Sequence, residues 1–266
     1  RAYFLARPRR FGKSLFISTL QTYFEGKKEF FKGLAIERIK AEKGEEWKKY
    51  PVLKLDLNAQ KYLREEDLTT ILNDHIRIWE ENYNVKTGCT DAVSAFAYII
   101  QSLYKKFNQK VVILIDEYDK PLIATLENEE LHEQYRTTLK AFYSVIKSSG
   151  DYIHISFLTG VTKFSKVSIF SDLNNLYDIS FDKEYSSICG ITEKELESNF
   201  RLEIEALSNA YNKPYNEMVD ILRTKYDGYR FSKKEERIYN PFSLLTALAK
   251  RELGDYWFET GTPTFL

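Results

Sequence analysis

Arg7-Pro8-Arg9-Arg10-Phe11-Gly12-Lys13-Ser14 gathers residue types that bind phosphate, between an apolar stretch, Tyr3 to Ala6, and a segment with Phe16, Leu20, Tyr23 and Phe24 on one helical face. A phosphate cradle there needs backbone N–H groups turned inward at a helix N-terminus, where the macrodipole is worth about half a positive charge, plus a lysine and a hydroxyl. Gly12 lets the backbone approach the phosphates, Lys13 reaches the β- and γ-phosphates as a point charge, and Ser14 holds Mg²⁺. Phe11 belongs to the same nucleotide-facing loop, and Arg9 and Arg10 are the cations nearest to the phosphate charge. In the pattern GxxxxGK[ST] the first Gly falls on Arg7, and Pro8 after it favours an extended backbone. On the loop alone, a cradle and a basic loop that happens to contain Gly-Lys-Ser both stand.

A second motif decides between them. Val111 to Ile115 is a continuous β-branched and Leu run that ends in Asp116-Glu117. Such a run suits a strand buried on both faces of a parallel sheet. It delivers two carboxylates to the carboxyl edge, where open α/β folds bind ligands. One carboxylate can accept a Mg²⁺-bound water and its neighbour can polarise an attacking water. Acidic residues that merely cap the next helix fit Asp119 before Pro121, but explain poorly why the run itself ends in Asp-Glu. The two motifs, in this order and context, indicate a bound nucleotide.

The elements that must position these residues follow from hydrophobic period. Strands are expected at Tyr3 to Ala6, Val52 to Leu57, Val111 to Ile115 and Ile153 to Leu158. Helices are expected with the stripes Leu68, Ile71, Leu72, Ile76 and Trp79, then Val93, Phe96, Ile100, Leu103, Tyr104 and Phe107, then Leu131, Tyr135, Leu139, Phe142 and Ile146. This alternation predicts an α/β fold, a parallel sheet flanked by helices, over residues 1–180. From about residue 181 to 266 a smaller helical, lid-like domain is expected. There Thr192 and Glu195 form a capping box before Leu196, Phe200, Ile204, Leu207 and Tyr211. Asn240, Pro241 and Gly254 bracket another helix. The charge run from Lys40 to Lys49, around Trp47, reads as a solvated helix face.

Composition excludes several classes. Thirty-nine Lys and Arg balance 39 Asp and Glu, so nothing favours a nucleic-acid or membrane-surface partner. Cys89 and Cys189 form no CxxC pair, and the reduced thiols they imply fit a cytoplasmic protein. His75, His132 and His154 lack the i,i+4 spacing of a helical zinc site, and His75 reads as a hydrogen-bonded residue on its helix's apolar stripe. The start at Arg1 and the stop at Leu266, each within or beside an apolar stretch, read as the ends of a piece of a longer protein.

The strings FLARPRRFGKSLF, LIDEYDKP, FLTGVTKFSKVSIFSDLNNLYDIS, YDGYRF, YNPFSLL and YWFETGTPTFL resemble the AAA-ATPase-like family of bacterial P-loop proteins, relatives of the STAND and archaeal ATPases. The resemblance covers essentially the whole chain, and in that family an Arg at the first-Gly position is usual, as at Arg7. It implies a P-loop NTPase core using ATP and Mg²⁺. Lys13 and Ser14 would be the Walker A ligands of phosphate and metal, Asp116 the Walker B metal residue, and Glu117 the base that orients the lytic water. Thr159 or Thr162 resembles a sensor of the γ-phosphate, with Gly160 giving close approach or permitting a turn. Arg230, in Tyr226-Asp227-Gly228-Tyr229-Arg230-Phe231, is either a lid arginine over the nucleotide or a residue after a helix stop at Gly228. Relatives often continue into a nuclease-like domain of the PD-(D/E)XK type.

Two functions are carried forward. One is a Mg²⁺-dependent ATPase. The other is a nucleotide-gated switch or scaffold with little turnover, which signals to a missing C-terminal domain of the nuclease-like kind; a homo-oligomer or a fused effector domain is the partner expected besides the nucleotide. ATP is preferred to GTP because of the family and because no Asn-Lys-x-Asp guanine-reading string is present.

Overall fold

The computed structural model describes residues 1–58, 61–161, 176–232 and 237–256. Its contacts divide the chain into two units, Arg1–Ala6 with Ser14–Asp178, and Arg7–Lys13 with Ile179–Leu266.

The first unit is an α/β layer structure. Strands β1 (Ala2–Ala6), β2 (Val52–Asp56), β3 (Val111–Asp116), β4 (Ile153–Gly160) and β5 (Leu176–Asp178) form a five-stranded parallel sheet in the order β2-β3-β4-β1-β5. Every residue of β3 is buried, as a strand covered on both faces requires. Side chains alternate between faces. One face, with Phe4, Leu53, Leu55, Val111, Ile113 and Leu158, packs on α3 (Glu65–Tyr83), α4 (Ala92–Phe107) and α6 (Glu129–Ser148). On the other, Tyr3 and Phe157 stack in register, and Phe16 of α1 (Lys13–Phe24) packs edge-on to Phe157 at 5.4 Å. The apolar stripes expected in α3 and α6 are buried throughout. The face buried by α4 is rotated toward Ala92, Ala95, Ile99 and Ile100, which leaves Phe107 exposed.

The charged run 40–49 is not a solvated helix face. Helix α2 (Ala35–Glu42) ends before its middle, and Lys40 is buried, its ammonium 5.5 Å from the ring centres of both Tyr23 and Trp47 and 3.3 Å from Glu45. Trp47 packs on Phe31 and Tyr23, so the aromatic residue pulls the segment onto α1 and the lysine stem fills the space beneath.

The second unit pairs helices with a small antiparallel sheet, β6 (Ile191–Thr192), β8 (Ile238–Tyr239) and β7 (Asp227–Tyr229). The Thr192–Glu195 capping box forms at the start of α7 (Glu193–Asn199). The stripe after it is not one helix. Asn199 turns its side-chain amide back to the Glu195 carbonyl, Phe200 leaves helical geometry, and α8 (Arg201–Ala210) starts afresh. Leu196, Ile204 and Leu207 still meet Met218, Val219 and Leu222 of α9 (Tyr215–Tyr226) and Leu244 and Leu248 of α10 (Pro241–Lys250) in one core. Asn240 caps α10 as expected, but Arg251, at φ 55°, ends it in the left-handed conformation. Gly254 has another reason to lack a side chain, since a Cβ there would lie 2.8 Å from the Tyr256 ring.

Candidate nucleotide-binding site

The carboxyl edge of the sheet fixes three of the candidate residues, Asp116, Glu117 and Thr159. Asp116 ends β3 almost completely buried, and its Oδ1 accepts a 2.6 Å hydrogen bond from Thr159 Oγ1 on the neighbouring strand. Its carbonyl accepts from Leu57 N, so both backbone and side chain are held. The next residue breaks the strand. Glu117 sits at φ 53°, left-handed and uncommon for a non-glycine residue, and its carbonyl accepts from Lys120 N at 2.9 Å. Tyr118 then returns to the fold, donating its N–H to the Thr159 carbonyl at 2.9 Å and placing its ring against Phe4. The candidate base is therefore a half-buried residue lifted between two pinned neighbours.

Thr159, expected as a sensor, is fully buried with its hydroxyl on Asp116, so in this arrangement it orients the carboxylate. Thr162 lies outside the described residues. Gly160 is required for space, because a Cβ would stand 2.5 Å from the Tyr118 ring and 2.7 Å from Asp119 Oδ1. Asp119 occupies the N-cap position of α5 (Lys120–Ala124) but makes no side-chain cap. Its Oδ2 accepts from Val161 N at 3.0 Å and ties down the exit of β4.

One carboxylate was missed. Asp56 ends β2 in register with Asp116, so two acidic residues stand side by side at this edge. The signal was present in Val-Leu-Lys-Leu-Asp, an apolar strand ending in Asp as β3 does. His75 of α3 lies within hydrogen-bond distance of the Asp56 backbone, and burial pushes its pKa below the ordinary histidine value.

The loop 7–13 belongs by its contacts to the second unit. Lys13 is buried, and its ammonium donates to the carbonyls of Arg7 at 3.1 Å and Pro8 at 3.3 Å. Arg10 (φ 67°) and Gly12 (φ 82°) are both left-handed. A Cβ on Gly12 would meet nothing within 4 Å, so conformation, not crowding by neighbouring protein atoms, calls for glycine. Phe11 is buried with its ring on Tyr229 and Phe231, which leaves its backbone as the part available to a ligand. The Arg10 guanidinium lies 4.3 Å over the Phe242 ring. Arg9, Gly12 and Ser14 are exposed. Tyr229 and Phe231 stack on one face, and Arg230 between them is exposed just after β7.

Unexpected from sequence is Arg7, whose side chain is buried and donates to the carbonyls of Ser180, Tyr185, Ser186 and Ile188. Nothing local to the loop signals partners more than 170 residues away. Among the described residues no group of three or more His, Cys, Asp and Glu could by itself hold a metal ion, and no helix is long and apolar enough to cross a membrane.

A parallel sheet whose first strand feeds a Gly-Lys-Ser loop and whose third ends in Asp-Glu has the arrangement of a P-loop ATPase-like fold. The family model described as "Predicted AAA-ATPase" matches residues 1–170, and the chain belongs to that family. It is 39% identical over 267 residues to a protein of Azotobacter chroococcum mcd 1 described as "Uncharacterized protein in vnfD 5'region", covering 99% of this chain and 48% of that protein. The chain thus spans about half the length of this curated relative. Among solved structures, the Aeropyrum pernix ORC2 protein, in ADPNP and ADP complexes, aligns at a TM-score of 0.37 and 12% identity, over 99% of this chain and 62% of that one, too distant a likeness to carry an argument.

Proposed function

We propose that the chain binds ATP with Mg²⁺ and hydrolyses it, with residues 1–180 as the P-loop core and 181–266 as the lid-like domain. The observation that carries this reading is the strand order β3-β4-β1. At about 4.8 Å per strand, the end of β1, where the chain enters the loop, lies about 10 Å along the same edge from Asp116. That edge is where open α/β sheets receive ligands.

In this reading the Lys13 ammonium exchanges the Arg7 and Pro8 carbonyls for phosphate oxygens. Arg9, Arg10, Arg230 and the backbone of Phe11 and Gly12 line the nucleotide. Ser14 and Asp116 hold Mg²⁺, and their hard oxygen donors fit an ion that is usually held by one or two protein groups together with phosphates and water. When bound, that ion neutralises charge on the transferring phosphoryl group. Glu117 would orient the attacking water, and Thr159 fixes the Asp116 carboxylate that would help to hold the metal by donating to one of its oxygens. Catalysis is then positioning plus fixed electrostatics.

Thermal melting with ATP, ADP and GTP, each with Mg²⁺, tests the binding step, since a ligand at 100 times its Kd adds about 2.7 kcal/mol. ATP is expected to stabilise more than GTP, with phosphate released on incubation. No stabilisation by any nucleotide would sink the reading, whereas retained ATP with negligible release would turn it into the nucleotide-gated switch.

A further inference from the structure

We infer that Arg7 is a positioning residue that makes the segment 180–188 a working part of the phosphate loop, so that occupancy of the loop is read out in the C-terminal unit. The inference rests on the nucleotide reading above and goes beyond it by naming the connection.

The loop has two sides. Arg9, Gly12 and Ser14 are exposed, whereas Arg7 and Phe11 are each 1% exposed. Both buried side chains grip Phe231: the Arg7 guanidinium lies 4.0 Å from its ring centre and the Phe11 ring packs edge-on at 5.4 Å. Beyond that ring, the guanidinium spreads over a curl of chain that includes the 3₁₀ turn Lys183–Tyr185 and the left-handed Cys189. Nη1 donates to Ser180 O at 2.7 Å, Nη2 to Tyr185 O at 2.9 Å and Ser186 O at 3.4 Å, and Nε to Ile188 O at 3.0 Å. Carbonyls from four residues converging on one planar cation need the fixed fork of an arginine. A lysine has three donors on one atom and cannot span them.

The same residue faces the ligand side through its backbone, since the Arg7 carbonyl accepts from the Lys13 ammonium. A phosphate that draws Lys13 away changes the load on that carbonyl and the placement of the Arg7 backbone, and the rigid guanidinium passes the displacement to residues 180–188. This also accounts for an Arg where the general phosphate-loop pattern has Gly. A glycine there supplies backbone freedom but no side chain, and so no connection.

Amide hydrogen exchange of the full chain, with and without Mg²⁺-ATP, tests the inference. Wild type is expected to slow exchange both in residues 8–14 and in 179–190. In Arg7→Lys the nucleotide-dependent slowing at 8–14 persists while that at 179–190 is lost. Arg7→Gly, although it completes the general pattern, is expected to bind ATP at least tenfold more weakly. A residue that only held the fold together would speed exchange at 179–190 without nucleotide and leave the nucleotide-dependent difference intact, which overturns the inference. Equal or tighter ATP binding by Arg7→Gly also overturns it. If Arg7→Lys does not fold, Phe231→Leu, which removes the ring beneath the guanidinium, is read by the same criterion. Should wild type show no response at 8–14, the nucleotide reading itself fails. A response at 8–14 without one at 179–190 defeats the Arg7 connection alone.

Discussion

The two groups of candidate residues are held by opposite means. Asp116, Glu117 and Thr159 sit where a backbone ladder ends, and their placement follows from strand register, a buried apolar run and one 2.6 Å hydrogen bond between adjacent strands. The loop of Lys13 has no ladder. Side chains hold it, Arg7 and Phe11 inserted into the C-terminal unit and Lys13 folded back on the carbonyls of Arg7 and Pro8. In the proposed function, a carboxylate that orients a metal benefits from the stiffness of a sheet, and a loop that closes around a polyanion benefits from contacts that can be exchanged one for another.

The largest expected effects test whether the two halves serve one reaction. Lys13→Ala removes the charge proposed to meet the phosphates and is expected to weaken ATP binding and to cost about 3–4 kcal/mol of transition-state stabilisation, by analogy with loss of an oxyanion donor. Glu117→Gln keeps shape and hydrogen-bonding capacity but not basicity, so ATP binding stays within a few-fold while turnover falls at least a hundredfold. Phosphate release and nucleotide titration on the same preparations separate the two. Equal hydrolysis by wild type and Glu117→Gln would take Glu117 out of the mechanism.

Thr159→Val, next in size, replaces a hydroxyl by a methyl group of nearly the same shape. It leaves a buried carboxylate oxygen without its donor, at a cost of about 1–3 kcal/mol. If Thr159 orients Asp116, turnover falls, the preference for ATP over ADP is unchanged, and Thr159→Ser restores activity. A change in ATP-over-ADP preference would instead return Thr159 to the sensor role.

Why one half was legible in sequence and the other only in part follows from the same contrast. Val111 to Glu117 carries the cues to its own placement, because a short β-branched apolar run suits a strand covered on both faces, and the two carboxylates that end it then emerge at an edge. Gly12, Lys13 and Ser14 suggest a chemistry for the loop, but nothing in the sequence signals its anchoring. Arg7 looked like a departure from a glycine pattern, and the carbonyls it binds belong to Ser180, Tyr185, Ser186 and Ile188, residues of no distinctive type. Backbone acceptors leave no compositional trace. Lys40 misled for a related reason, since charge pattern suggests solvent whereas neighbouring aromatic rings decide burial.

Each half carries one glycine for a different cause, and alanine distinguishes them. Gly160→Ala forces a Cβ into the Tyr118 ring and the Asp119 carboxylate, and overpacking of this kind costs about 1–3 kcal/mol, near the upper end where the neighbours are themselves buried. Gly12→Ala meets no atom but must hold φ 82°, a strain of about 1–2 kcal/mol. Denaturant unfolding is expected to rank Gly160→Ala as the more damaging. The reverse ranking would mean that the Tyr118 ring yields and that the sheet edge is not rigid.

The smallest expected effect concerns pH, and it too falls on one side of the comparison. All three histidines lie in the first unit. Burial lowers the pKa of His75, against the end of β2, and also that of His154, which stacks on Tyr50 and lies in the field of Lys110. A folded pKa below the unfolded value of about 6.5 means that the unfolded chain takes up protons first as pH falls. The stability these neutral rings contribute is therefore complete above about pH 6.5 and is lost progressively below it. The melting temperature is expected to drop between pH 7.5 and 5.5, and His75→Gln, which keeps a hydrogen-bonding group but does not titrate, should make that slope shallower. Because the backbone groups bonded by His75 belong to Asp56, whose register partner is Asp116, protonation loosens the sheet edge before it reaches the loop. Protection of the amides at residues 56–58, taken relative to their intrinsic exchange rate at each pH, should therefore fall on mild acidification while that at 180–188 does not. Simultaneous loosening of both segments would remove the distinction between a half held by the sheet and a half held by side chains.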